Sequence, residues 1–158
     1  MKNFVKQCII FIMPIFIAFL FLVFMRMQFV KTVEFKDLSK CEKTDNAVYS
    51  VEYFDNNDKY VHIIGFFFIK DVVVKRADMS IVLVDRNTGK AYELSTKINQ
   101  RGDVAELYDN LEGNNACCGF EAFSRVDKIE DGIYDVYCLY KSDDNMILQN
   151  MEYVYTKE

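Results

Sequence analysis

The sequence predicts an all-β domain, an antiparallel β-sandwich, preceded by one N-terminal transmembrane helix. Residues 8–25 form an apolar run with neither a charged nor an amide side chain, which is typical of a membrane-spanning segment. Residues 47–158 instead alternate apolar and polar positions in short runs, the pattern of half-buried strands. Turn-forming residues separate these runs at intervals of roughly 8 to 12 residues, as in sandwiches and small barrels.

The apolar run is long enough for a single span. As a helix, its 18 residues would extend about 27 Å, close to the hydrocarbon thickness of a bilayer. Pro14 lies near its start, where a spanning helix tolerates proline. No pair of small residues after Leu22 forms a cleavage site. The segment therefore predicts an uncleaved anchor that contacts the lipid bilayer, with a cleaved signal peptide as the alternative.

This anchor divides the chain into four parts. Residues 1–7 are predicted to form a cytoplasmic tail, residues 8–25 the transmembrane anchor, residues 26–46 a juxtamembrane stalk and residues 47–158 the sandwich domain. The short tail contains lysines and no acidic residue, which favours its retention in the cytoplasm. We therefore expect a single-pass protein of the cell membrane with an extracytoplasmic domain.

The predicted domain is acidic. The chain has 19 basic and 24 acidic residues and a net charge of −5. Because residues 1–26 hold three basic residues and no acidic one, the remainder is more acidic than the whole chain. Phosphate backbones repel such a domain, and no run rich in lysine and arginine reverses this locally. Nucleic acids are therefore excluded as partners.

Individual strands are predicted from alternation and composition. Residues 49–53 alternate, and residues 60–69 are apolar on both faces, which suits a central strand. Asn87 and Gly89 tolerate positive φ and predict a turn, whereas residues 104–111 repeat apolar positions with a helical period. About seven to eight short strands favour an immunoglobulin-like sandwich, with a small barrel as the alternative. The other strands are predicted at residues 79–84, 91–95, 116–123, 133–140 and 147–155.

Catalytic and metal-binding signatures are weak. His62 is the single histidine and lies among apolar residues of a predicted strand, so a packed imidazole is favoured over a catalytic base. The run Asp55-Asn-Asn-Asp58 lacks the glycine and distal glutamate of an EF-hand loop, and its acids suit a turn. The sequence has no phosphate-binding glycine loop and no dinucleotide motif. We expect no catalytic residue, no metal site and no cofactor.

Four cysteines lie outside the apolar run. Cys41, Cys117, Cys118 and Cys138 allow three disulfide pairings, and their spacing does not choose among them. A Cys118–Cys138 disulfide across the sheet is one hypothesis. Buried free thiols are the alternative, since cysteine is among the most frequently buried residue types.

A series of short motifs follows in order along residues 60–141. The motifs are Gly65-x-x-Phe-Ile, Leu83-Val-Asp, Thr88-Gly-Lys-x-Tyr, Arg101-x-Asp-Val-Ala, Gly119-Phe-x-Ala and Gly132-x-Tyr-x-Val. With these motifs the chain resembles bacterial immunoglobulin-like β-sandwich modules found beside glycosyltransferases and other cell-envelope polysaccharide proteins. It departs from them at Phe66, where tryptophan is frequent, and at Cys117-Cys118 before the Gly-Phe pair.

The resemblance implies an accessory or binding module and no enzymatic role. In such modules Arg101, Asp103, Gly119 and Phe120 either contact a ligand or hold the sandwich together, and both interpretations stay open. Arg101-Gly-Asp103 also spells a cell-adhesion tripeptide. A bond between the arginine and the aspartate, or from either to the backbone, is favoured over adhesion.

We therefore expect a membrane-anchored, non-catalytic envelope protein whose sandwich binds surface polysaccharide or supports proteins that handle it. Exposed aromatic side chains would stack on the sugar rings. The alternative is a structural or assembly subunit of a membrane protein complex. Such a subunit would pair with another envelope protein through its helix or a sheet edge, with no ligand of its own.

Overall fold

A computed structural model of the chain describes residues 12–24, 33–34, 40–57, 59–70, 77–108, 117–142 and 146–158. These residues belong to two compact units, Met1–Lys31 and Thr32–Glu158. The predicted cytoplasmic tail, residues 1–7, lies outside the described residues.

The first unit contains a helix, α1, at residues 12–24, all of them apolar and exposed. No helix in the described part of the chain is long and apolar enough to cross a membrane. The predicted transmembrane helix at residues 8–25 is therefore wrong. The described helix has 13 residues and extends about 20 Å, which is short of the roughly 30 Å of a hydrocarbon core.

The second unit is built of β-strands, and the β-rich character predicted for residues 47–158 is confirmed. A short helix precedes β7, and a 3-10 turn follows it at Val126–Lys128. The elements in chain order are β1 (Val33–Glu34), β2 (Ala47–Asn56), β3 (Tyr60–Ile69), β4 (Ala77–Asp85), β5 (Ala91–Glu93), β6 (Ser95–Asn99), α2 (Gly102–Leu107), β7 (Gly119–Arg125), β8 (Gly132–Ser142) and β9 (Met146–Lys157).

The strands form two sheets. The first sheet has the order β1-β5-β4-β8-β9, and the second sheet has the order β2-β3-β7-β6. Each pairing between these strands is antiparallel. One hydrophobic cluster takes residues from both sheets. The two sheets are therefore the layers of a sandwich with its core between them.

The core follows from alternation along the strands. Val61 and Ile63 of β3, in the second sheet, share it with Leu83 of β4 and Val136 of β8, in the first. All four are fully buried, and the two-residue spacing of Val61 and Ile63 matches the period with which strand side chains return to the same face. Tyr134 is also buried here, and its hydroxyl donates a 2.7 Å hydrogen bond to a backbone carbonyl. Its polar group is thus satisfied inside the core.

The region predicted as one strand, residues 91–95, contains parts of two. β5 ends at Glu93 and pairs with β4, whereas β6 begins at Ser95 and pairs with β7. Between them, the N–H of Leu94 donates to the carbonyl of Ile81 at 2.8 Å. The chain therefore changes sheet at Leu94 without breaking the local alternation, so the pattern alone could not reveal the crossing.

Two shorter elements also differ from the sequence pattern. β1 adds a two-residue strand beside β5, within residues predicted as stalk. α2 covers Gly102–Leu107 rather than the predicted 104–111, of which residues 109–111 lie outside the described residues.

β9 contains a bulge, where its register with β8 shifts. Glu152 at the bulge has a φ of 60°, which is uncommon for a residue other than glycine, and its N–H binds Asn150 Oδ1 at 2.7 Å. The next residue, Tyr153, stacks on Phe54 at 5.9 Å and donates its hydroxyl to the carbonyl of Val51 at 3.3 Å. The bulge therefore accompanies a side-chain contact between β9 and β2 of the other sheet.

The first residues of β9 have a second neighbour besides β8. Glu42 pairs with Ile147 in parallel. Its N–H donates to the carbonyl of Met146 at 2.7 Å, and its carbonyl accepts from the N–H of Leu148 at 3.1 Å. The segment around Glu42 thus covers this part of the strand edge.

Candidate functional site

The outer face of the second sheet, which points away from the core, is unusually aromatic. On β3, residues 61, 63, 67 and 69 belong to the core, so the alternating positions between them face outward. These positions hold Tyr60, His62, Ile64, Phe66 and Phe68. Large apolar surfaces on an outward face call for an explanation, since such faces are usually polar.

One end of this face, which we call the covered end, lies under α2. Phe66, Phe68, Val104 and Cys118 form a separate buried cluster, and Tyr108 packs against it. The ring of Tyr108 meets that of Phe68 edge-on, with 5.2 Å between centroids. The aromatic residues at this end thus form a small second core between α2 and the sheet.

Arg101 closes the covered end. Its guanidinium binds both carboxylate oxygens of Asp103, at 2.8 and 2.6 Å, and both of Glu52 on β2, at 2.6 and 2.8 Å. It also lies 5.7 Å from the centre of the Phe66 ring, a cation–π distance. The hydrogen bonds from Arg101 hold the pKa of Asp103 down, at about 2. Hydrogen bonds to Asp103 and Glu52 raise the pKa of Arg101, so this network stays charged.

The structure therefore brings together three of the four residues that the sequence singled out. A Cβ on Gly119 would lie 2.6 Å from Arg101 Cγ, so glycine allows the arginine stem to pass close to β7. Phe120, the next residue, is fully buried on the opposite face, in the core between the sheets. Arg101 and Asp103 bond to each other, and in this arrangement the two hold α2 against the sheet.

The other end of the same face, the open end, carries four aromatic rings that α2 does not cover. His62 is in the middle, with Tyr53 of β2 at 5.5 Å and Phe123 of β7 at 5.8 Å, both edge-on. Tyr60 lies 5.0 Å from Phe123. We call Tyr53, Tyr60, His62 and Phe123 the aromatic strip. Tyr53 is 48% exposed and the other three are partly exposed, so the strip is accessible to a ligand.

A carboxylate lies beside the strip. His62 Nε2 is 3.0 Å from Glu121 Oε1, and the two side chains are 23% and 41% exposed. Within the described residues, His62 is the hydrogen-bond partner of Glu121, through one oxygen of the carboxylate. Aromatic rings next to an acceptor offer a ligand both a stacking surface and hydrogen bonding. No group of three or more metal-ligating side chains is found in the described parts of the chain.

Cys117, Cys118 and Cys138 are free thiols. Cys118 lies in the cluster at the covered end, whereas Cys138 is buried in the core between the sheets. The hypothetical Cys118–Cys138 disulfide is therefore not formed, because the two thiols lie in separate clusters. Burial raises the pKa of Cys118 to about 11, and it also raises the pKa of Cys138. Neither thiol is ionised near neutral pH, as expected for packed rather than reactive cysteines.

Asp85 is a buried carboxylate of the second unit, and its role is local. Its Oδ1 accepts from the N–H groups of Asn87 and Thr88 and from the Thr88 hydroxyl, at 2.6 to 2.9 Å. The backbone N–H and the hydroxyl of Thr88 contribute most to lowering its pKa. Gly89 completes this turn with a φ of 70°, as the sequence predicts. The carboxylate is thus engaged within the turn itself.

The sequence indicated exposed aromatic residues but did not select these four. Their common face depends on strand register: Phe123 lies opposite His62, and Tyr53 reaches this face through an irregularity of β2 between Val51 and Tyr53. No protein-family model, curated protein or solved structure matches this chain.

Proposed function

We propose that the second unit is a non-catalytic saccharide-binding module and that the aromatic strip is its binding surface. The observation that carries this proposal is the open end itself, four neighbouring rings accessible to solvent and flanked by Glu121. The C–H face of a sugar ring is apolar and packs on an aromatic ring, while its hydroxyl groups donate to a carboxylate. A strip of rings suits a chain of sugars better than a single small molecule.

The strand order also supports a binding module. The orders β2-β3-β7-β6 and β5-β4-β8-β9 correspond to the A-B-E-D and C′-C-F-G sheets of immunoglobulin-type sandwiches. The hydroxyl of Tyr134, near the start of β8, binds the carbonyl of Glu130, as in the tyrosine corner of those sandwiches. This connectivity fits the resemblance to sandwich modules of polysaccharide proteins. Fold alone assigns no ligand, so the strip remains the main argument.

Attachment to lipid is a further part of the proposal, and α1 supports it. Residues 12–24 are apolar on every side of the helix, and all are exposed within this chain. Water is a poor solvent for such a surface, whereas lipid hydrocarbon covers all sides of it. Flotation with liposomes tests lipid contact, which Ile17→Lys/Leu20→Lys should abolish. Recovery of the unaltered chain only in the lipid-free fraction would contradict this part.

A glycan array probed with the full chain in detergent tests saccharide binding. Tyr53→Ala/Phe123→Ala should weaken any binding by about tenfold or more, because two stacking surfaces are lost. Tyr153→Ala is the matched control, since Tyr153 is comparably exposed, at 40%, but lies on β9 outside the strip. The proposal would be contradicted if no glycan on the array bound the chain. It would also be contradicted if the strip variant and the unaltered chain gave equal signals.

A structural or assembly subunit is the second candidate. It is favoured by β9, an edge strand on which Tyr153 is 40% and Val154 46% exposed. Exposed edge strands pair readily with a strand of another protein. Crosslinking from a cysteine introduced at Val154 should then capture a distinct partner in native membranes. Recovery of the monomer alone would argue against this role.

A further inference from the structure

The charged groups around the aromatic strip carry an inference about the class of saccharide. This inference rests on the proposed function. Two carboxylates belong to the face of the strip: Glu121, which binds His62, and Asp55, which lies directly opposite His62 on β2. Residues directly opposite each other on neighbouring strands share a face. His62 thus has an acidic residue on each of its two neighbouring strands.

Arg101 and Arg125, the arginines of this face within the described residues, are already paired. Arg101 binds Glu52 and Asp103 through two bidentate contacts. Arg125, opposite Tyr60, binds Asp127 through Nε at 3.1 Å and Nη2 at 2.7 Å. To bind an anionic ligand, either guanidinium would have to share or release a carboxylate that it already holds. Bidentate binding of carboxylate or phosphate therefore lacks the group that usually provides it.

A lysine also belongs to this face. Lys97 of β6 lies opposite Glu121 and is exposed. Against Asp55 and Glu121, this lysine leaves the described residues of the strip with more acid than free base. The carboxylate or phosphate group of an anionic sugar offers only acceptor oxygens and would be repelled by the two carboxylates, whereas the hydroxyl groups of a neutral sugar donate to them without this repulsion. The net charge of −5 on the whole chain adds to this repulsion.

We propose that the aromatic strip binds uncharged polysaccharide and rejects chains that carry uronate or phosphate groups. Asp55 and Glu121 act as acceptors for sugar hydroxyls and, at the same time, exclude anions. The strip would then recognise a neutral surface glycan through stacking, with little dependence on salt.

The test measures binding of the full chain in detergent to dextran, mannan and polygalacturonate by biolayer interferometry. A neutral polymer should bind at least about tenfold more tightly than polygalacturonate. Its affinity should change little between about 50 mM and 500 mM salt, since stacking is not screened. Tighter binding of polygalacturonate than of either neutral polymer would overturn the inference and leave the proposed function standing. Binding of none of the polymers would overturn both.

Charge variants make the test specific to the strip. Asp55→Lys/Glu121→Lys should gain polygalacturonate binding at low salt and lose affinity for the neutral polymer. Asp45→Lys/Glu158→Lys, at two exposed positions outside the strip, makes the same change in net charge and should behave as the unaltered chain. If the double variant fails to fold, Glu121→Gln replaces it and should weaken neutral binding without loss of stability. Unchanged selectivity in a folded strip variant would contradict the roles of these carboxylates.

Discussion

The covered end and the open end lie on the same face of the same sheet and are built from similar residues. β3 supplies Phe66 and Phe68 to one end and Tyr60 and His62 to the other. At the covered end α2 and Arg101 bury the rings, and Phe66 is 9% exposed. At the open end no described element lies over the rings, and Tyr53 is 48% exposed.

This difference shows that aromatic content alone does not separate stability from binding. What separates them is whether another element desolvates the ring. At the covered end the burial of apolar surface stabilises the fold. At the open end much of the corresponding free energy is still available to a ligand. Variants on the two ends should therefore affect stability and binding in opposite proportions.

The largest expected effect is that of Phe66→Ala. Removing a buried ring beneath α2 and Arg101 should lower the free energy of unfolding by about 3 kcal/mol. Phe123→Ala, the matched change at the open end, should cost about 1 kcal/mol because that ring is only partly buried. Urea denaturation followed by circular dichroism measures both. Equal losses would remove the distinction between the two ends.

A smaller loss is expected for Arg101→Met, which keeps the apolar stem and removes the charge. The free energy of unfolding should fall by about 1 to 2 kcal/mol, because Glu52 and Asp103 lose their shared partner. Arg125→Met is the control, since its single ion pair with Asp127 is exposed and should contribute little. If the two arginine variants were equally stable, Arg101 would not hold the covered end.

Acid should loosen the covered end. The Arg101 hydrogen bonds keep the pKa of Asp103 at about 2, below the ordinary 3.8 of an unfolded aspartate. The ionised Asp103 carboxylate therefore stabilises the folded state fully above about pH 4, and this stabilisation is lost as the pH falls towards 2. Asp103→Asn should remove this part of the acid sensitivity. Urea midpoints measured between pH 5 and pH 2 test this expectation. The same pH dependence of the midpoint in the unaltered chain and in Asp103→Asn would contradict it.

The smallest effect on stability is expected for Tyr53→Ala. Because Tyr53 is 48% exposed, its removal should change the free energy of unfolding by no more than about 0.5 kcal/mol. The same variant should reduce glycan binding on the array. A large loss of stability would mean that the open end supports the fold in the same way as the covered end.

Much of the second unit could be predicted from the sequence because its strands follow local rules. The apolar run of β3 and the turn at Gly89 depend on neighbouring residues only, and both were predicted at their observed positions. The division of residues 91–99 between two sheets could not be predicted from the sequence, since it depends on which strands β5 and β6 pair with. The transmembrane helix was predicted from hydropathy alone, a signal that contains no information on where the helix begins and ends.

The candidate site was harder to predict than the fold. Arg101 and Asp103 were recognised as a pair, but Glu52, their partner from β2, is 49 residues away from Arg101 in sequence. The aromatic strip combines residues of β2, β3 and β7, and its register includes an irregularity next to Tyr53. Neither arrangement follows from spacing, because both are products of long-range pairing.

The bulge of β9 affects whether identical chains can associate along this strand edge. A long, regular strand edge is a template on which identical chains join sheet to sheet and grow into fibrils. Here one part of that edge is paired with Glu42, and the part beyond it is interrupted at Glu152. Two copies side by side on one surface would therefore find no long uninterrupted edge on β9 to share. Growth of a shared sheet along this edge of β9 is therefore disfavoured.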